Sequence, residues 1–257
     1  MPISRKKIAE LNAFRHLVVK ECSDVVGRYA ARQYAKDQAK EHATHGFGRR
    51  VYILLRCVDR VFSIIPPGTR GKPGSNRVDD VVINLQAFVI NASGCLDNLA
   101  WIWVIEKRVS GDDGASLVPS RVGFGSRYSE VWKSLPREFK DEMNGFKLWL
   151  TNLQNYRHAL AHRVPLYVPP FIIPPADAAE YQRLEQTAEE AYAAGDHQVY
   201  CEVKSQLLTV GTFEPLMAHS FAESSRPVWY HVQVLNDLKT IAHIAKRLLA
   251  ELETPPL

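Results

Sequence analysis

Residues 81–105 read Val-Val-Ile-Asn-Leu-Gln-Ala-Phe-Val-Ile-Asn-Ala-Ser-Gly-Cys-Leu-Asp-Asn-Leu-Ala-Trp-Ile-Trp-Val-Ile. This is the most apolar window of the chain, and it predicts a helix over roughly 78–107 that sits at the centre of the fold. Asn84, Gln86, Asn91, Asp97 and Asn98 interrupt it, which argues against a membrane span because unpaired polar groups are costly in lipid. Asn91, Gly94, Asp97, Asn98 and Trp101 form a stripe of polar and small residues on an otherwise oily cylinder. Asp79 and Asp80, near its start, favour the positive end of the helix dipole.

Upstream, Ile8, Leu11, Phe14, Val18, Cys22, Val25 and Val26 recur at helical steps, predicting one helix over 3–40 that breaks at 42–48. A second helix is expected from about 49 to 65, stopped by Pro66-Pro67-Gly68, followed by a basic, Gly- and Pro-rich loop over 69–76. Downstream, the glycines of 110–128 predict a loop, and a short helix near 129–135 leads to Pro136. Another helix is expected over 138–163. The prolines of 164–175 force an extended arm, with which 209–217 would pair as a short strand. Helices are expected over 176–194 and 197–206, with Gly195-Asp196 between them. The last helix, from about 228 to 253, carries Val232, Leu235, Leu238, Ile241, Ala245, Leu248 and Leu252 as its apolar stripe. The reading is all-α: a helical bundle, one domain over 1–257, with its core at about 3–165, an arm at 164–175 and accessory helices at 176–253.

With 257 residues, 46% of them hydrophobic and 23% charged, the chain can build a substantial core. A formal charge of +4 is permissive of an anionic partner and no more. Cys22, Cys57, Cys95 and Cys201 lie far apart with no CxxC pair, which disfavours a cysteine zinc site or a disulfide framework and suits a reducing cytoplasm. No apolar run follows the charged residues 4–7, so no signal peptide is expected.

The chemistry concentrates in Asn155-Tyr156-Arg157-His158-Ala159-Leu160-Ala161-His162-Arg163. Imidazole exchanges protons near neutral pH, and guanidinium binds phosphate bidentately without losing its charge. Arg157 and His162 stand about 140° apart around an ideal helix, whereas His158 and His162 share a face. The bland alternative is capping, since cations favour a helix C-terminus. His158 and His162 could also be metal ligands, but no HExxH or Glu-x-x-His partner accompanies them, so neither metal nor cofactor is expected. Asp97 and Asn98 serve equally as buried hydrogen-bonding groups that fix the packing. The Arg5-Lys6-Lys7 and Arg49-Arg50 clusters read as solvated faces, and the tryptophans as core.

The run from Arg157 to His162 resembles the Rx4–6H signature of the HEPN superfamily (higher eukaryotes and prokaryotes nucleotide-binding domains). The resemblance spans roughly 78–165 and leaves 176 onward unexplained. It implies a bundle that dimerises, with two motifs forming a composite cleft for RNA. It further implies cleavage without a metal by attack of the ribose 2′-OH, leaving a cyclic phosphate. Arg157 would stabilise the charge at phosphorus and His162 would transfer protons. His158, Arg163, Asn155, Asp97 and Asn98 would support or bind substrate. A toxin or host-defence role, with an antitoxin or regulatory protein as partner, comes from the family alone. The alternative from the same resemblance is a non-catalytic module that binds RNA, a nucleotide or a protein.

Overall fold

The computed structural model describes residues 4–69, 71–220 and 226–254. It is 71% helix and 4% strand, an all-α architecture. The helices are α1 (Arg5–Ala31), α2 (Asp37–Glu41), α3 (Arg49–Ile64), α4 (Ser75–Glu106), α5 (Ser129–Ser134), α6 (Arg137–Gly145), α7 (Lys147–His162), α8 (Ala178–Ala193), α9 (His197–Leu207) and α10 (Tyr230–Glu253). A two-residue ribbon pairs β1 (Leu216–Met217) with β2 (Val228–Trp229) in antiparallel register.

The apolar helix at 81–105 is the hub. α3 packs along α4, α10 and α7 cover other flanks, and α1 lies on α10. By length and mean hydropathy α4 could cross a membrane, but 61% of that apolar window is buried inside the bundle. Leu85, Phe88, Leu99 and Ile102 are fully buried in one continuous core. A buried side chain of this size stabilises by about 1.5–3 kcal/mol over its exposed counterpart.

Three boundaries differ from the pattern reading. The first helix ends at Ala31 rather than at 40. Arg32 turns extended (φ −69°, ψ 141°) because its guanidinium reaches Glu106 at 2.7 Å and the Leu252 carbonyl at 3.1 Å. Glu106 also accepts the Ala35 amide at 2.9 Å, so the Arg32–Glu106 pair, with Arg32 reaching Leu252, ties the ends of α1, α4 and α10 together. The expected break at 42–48 is instead a π-helical segment, His42–Gly48, which runs without interruption into α3. Ala43 and Phe47 bury one side of it, with Phe47 5.0 Å from Tyr29. The helix expected over 138–163 is two helices. Phe146 breaks it, turning its ring onto Trp149 and His243.

The arm at 164–175 is largely extended and meets the following segment by isolated bridges, Ile172–Thr212 and Tyr167–Ala218. The strand expected within 209–217 pairs elsewhere, Leu216–Met217 with Val228–Trp229, whose backbone lies at the start of α10. Leu166 and Val168 anchor the arm in the core. Residues 176–253 do not form one accessory unit. The α8–α9 hairpin has its own small cluster of Leu184, Ala188, Val203 and Leu207. α10, by contrast, is a central member of the bundle, with Leu235, Leu238, Ile241, Ala245 and Leu248 at 1% exposure or less. Val232 leaves the expected stripe. It is 41% exposed, and Val234 takes the inward position, because Val232 shares its face with the polar residues Asn236 and Lys239.

All four cysteines are free thiols, and burial raises the pKa of Cys22, Cys57 and Cys95.

Candidate functional site

α7 divides two clefts. Leu150, Gln154, Arg157 and His158 line the first, a space of about 610 Å³. Trp149, Asn152, Asn155, Tyr156 and Arg163 line the second, of about 530 Å³. A 16-residue helix does this because residues at three- and four-step spacing stay on one side while those between turn to the other.

Across the first cleft stand Asp97 and Trp101, an i,i+4 pair on α4, with Arg127 and Tyr128 from the glycine-rich loop. The Arg127 guanidinium lies 4.5 Å from the Tyr128 ring centroid and donates to its hydroxyl. The charged side chains Asp97, Arg127, Arg157 and His158 are all solvent-exposed. Although Asp97 keeps an exposed surface, the protein atoms crowded around its carboxyl from the cleft walls displace enough water to raise its pKa above the usual range, against the pull of Arg157, Arg50 and Arg127. His158 moves the other way for an imidazole. Partial desolvation lowers its pKa, and the positive charges of Arg157, His162, Arg127 and Arg163 lower it further. The cleft therefore presents the guanidiniums of Arg127 and Arg157, one carboxylate and a largely neutral imidazole.

The predicted residues separate. Asp97, Arg157 and His158 come together in the first cleft. His162 does not line it; its ring lies 6.3 Å from that of His158, one helical turn on. Asn155 and Arg163 belong to the second cleft, where Arg163 donates to the Asn155 carbonyl at 3.1 Å.

Asn98 turns inward instead. Its Oδ1 accepts from Arg50 Nε at 3.0 Å, and its amide nitrogen lies 3.1 Å from His42 Nδ1. Arg50 also donates to Asn91 at 3.2 Å, while His42 stacks on Trp101. This network fastens the π segment to α4 directly behind the cleft wall. It needs two glycines. A Cβ on Gly94 would lie 2.4 Å from the Arg50 guanidinium carbon, and one on Gly46 would lie 2.5 Å from the Asn98 amide nitrogen.

The pattern reading missed Arg127 and Tyr128 and read Arg50 as part of a solvated face; Trp101, read as core, packs against the core while also lining the cleft. Arg127 stands in an irregular loop, where periodicity carries no information about facing. The only available signal was a cation among glycines, which also describes any solvated loop. Among the described residues no group of three or more His, Cys, Asp or Glu side chains gathers in metal-binding proximity.

No family model matches this chain, and no curated protein or solved structure matches it.

Proposed function

We propose that the chain is a HEPN-like, metal-independent endoribonuclease whose substrate strand lies in the first cleft. The observation that carries this reading is the convergence of Arg127, Arg157 and His158 on one cleft beside Asp97. Two guanidiniums supply fixed charge for a phosphodiester and for the extra negative charge that builds at phosphorus during in-line attack. His158 is the imidazole that lines the cleft, and its lowered pKa keeps it neutral at pH 7 and ready to accept a proton. In this scheme it takes the proton of the ribose 2′-OH. The 2′-oxygen bonds to phosphorus, the 5′-oxygen leaves, and a 2′,3′-cyclic phosphate remains. DNA lacks the nucleophile and would not be cut. Trp101 and Tyr128 offer aromatic surface for a flanking base.

His162 enters this scheme from a second copy. In a homodimer joined near the exposed end of α7, the partner's imidazole would protonate the leaving oxygen. The free, largely buried thiols fit a cytoplasmic setting. A toxin or defence role, and an antitoxin partner, would follow only if cleavage proves toxic to a host.

A second reading is favoured by one observation: His162 does not line the cleft that holds Arg157. A single chain so arranged suits a module that binds RNA without turning it over.

The test is incubation of the purified protein with end-labelled RNA in EDTA, alongside folded Arg157→Ala, His158→Ala and His162→Ala variants. Cleavage with cyclic-phosphate ends, lost in Arg157→Ala and His158→Ala, supports the nuclease. Loss in His162→Ala that is rescued by mixing with Arg157→Ala supports the shared site. Binding without cleavage at any protein concentration leaves the module.

A further inference from the structure

On the far side of α7, the second cleft is built from α7, the β-ribbon and the first turns of α10. Asp237 lines it and is only 4% exposed. Its Oδ1 accepts the Trp149 indole N–H and the Gln233 amide, both at 2.7 Å, leaving Oδ2 without a donor among the described residues. No cationic side chain among those residues offsets the carboxyl either. Two neutral donors are all that oppose its burial, which pushes its pKa up to about 6. At pH 7 and above the group is ionised, and a buried charge with no counter-ion is costly. A side chain kept only to hold Trp149 and Gln233 would cost less as the neutral amide. Around this carboxylate, Trp149 and Tyr156 form aromatic wall, and Val89, Met217 and Val228 add apolar surface. Of the two arginines that line the cleft, Arg163 is engaged by the Asn155 carbonyl at 3.1 Å and Arg226 is solvent-exposed.

The missing component is a cation that can donate a hydrogen bond. A primary ammonium would donate to the open oxygen and cancel the buried charge, and the faces of Trp and Tyr rings attract a cation electrostatically. We propose that this cleft binds an arylalkyl primary amine, with its ammonium on Asp237 and its aromatic body against Trp149 and Tyr156. A space of about 530 Å³ lies within the range of small-molecule sites. A site built around a ligand N–H rejects analogues lacking it, because its own buried group is then left without a partner. A neutral alcohol of the same shape brings no charge, and a quaternary ammonium brings no N–H. The exposed Arg226 opposes the ligand only weakly, since solvent and salt screen its charge. Asp97, Arg127, Arg157 and His158 do not line this cleft, so the site stands apart from the chemistry proposed for the first.

The test is calorimetric titration of the full chain at pH 7.5 with phenethylamine, with its neutral counterpart phenethyl alcohol, and with phenyltrimethylammonium. The expected result is that the primary amine binds at least about tenfold more tightly than either of the others. Asp237→Asn keeps an oxygen for Trp149 and Gln233 but removes the charge. It should weaken the amine at least about tenfold and leave the alcohol little changed. Thermal unfolding of that variant separates lost binding from lost fold, since removing an uncompensated buried charge should not destabilise the chain at this pH. Asp97→Asn, which removes the carboxylate of the first cleft, should leave amine affinity intact. Arg226→Ala should tighten it by no more than about threefold. Equal affinity for amine and alcohol overturns the proposal, and so does amine binding that a folded Asp237→Asn retains. Loss of binding in Asp97→Asn would put the amine in the first cleft, and weakening in Arg226→Ala would mean that an anionic ligand is preferred; either result also overturns it. So does the absence of amine binding at millimolar concentration.

Discussion

The Trp149 indole donates to Asp237 across the α7–α10 interface at 2.7 Å, placing an acid with a pKa of about 6 behind an aromatic wall. The sign of its effect follows from that pKa. Between pH about 4 and 6 the folded chain holds a proton that the unfolded chain has released, so this group's contribution to stability falls as pH rises through that window. The full effect is on the order of 2–3 kcal/mol, retained below pH 4 and lost above pH 6. Asp237→Asn should therefore gain stability relative to the parent at pH 7.5 and gain little at pH 4. Urea unfolding at the two pH values measures it; an equal difference at both would contradict the buried, protonated carboxyl.

Arg127 and Arg157 should behave as phosphate contacts rather than sequence readers. Each alanine substitution is expected to weaken single-stranded RNA binding uniformly across sequences and to reduce the slope of log affinity against log salt by about 0.7. Asp97→Asn should strengthen binding severalfold by removing the one carboxylate in that cleft. Filter binding at several salt concentrations checks all three.

The lowered His158 pKa gives a titration of known direction. Its midpoint in the free protein should fall below 6.5 and rise when phosphate or RNA occupies the cleft. Binding should accordingly tighten as pH drops below neutral, and His158→Ala should flatten that response. Ring-resonance shifts followed by NMR, with His158→Ala for assignment, provide the measurement.

The clamp between Arg50, Asn98 and His42 depends on the missing side chains of Gly94 and Gly46. Gly94→Ala would displace the guanidinium and forfeit its bonds to Asn91 and Asn98, costing about 1–3 kcal/mol. Thermal unfolding should show the loss, and ligand binding in the first cleft should weaken with it, since His42 supports Trp101.

The α8–α9 hairpin carries a separate apolar cluster, so replacing 178–207 with a short Gly/Ser loop should leave the bundle folded with a single cooperative transition. Ending the chain before α10 should abolish that transition. Circular dichroism during heating distinguishes the two.

The helices were legible wherever one face repeats, as in α4, α8 and α9, because burial enforces period 3.6 on the residues that touch the core. What the pattern could not supply was partnership. The last helix reads like any amphipathic helix, and only the packing of Tyr230, Leu235 and Leu238 makes it central. Phe146 fits the apolar rhythm that it in fact breaks, since its ring is drawn onto His243, far away in the chain. The motif at 157–162 drew attention to α7, yet spacing alone could not reveal that Arg157 and Arg163 line different clefts. Arg127 joined Arg157 only through the tertiary fold.

Tyr29 donates to the Ala245 carbonyl at 2.9 Å, joining residues 216 positions apart in sequence. During synthesis, α1, α3 and α4 all leave the ribosome while the strip that α10 will cover is still bare. Because α10 follows them in the chain, the bundle stays incomplete, with an oily groove exposed, until α10 has been made. Such a protein should depend on a holding chaperone, and a stall before residue 230 should yield aggregates rather than a smaller folded product.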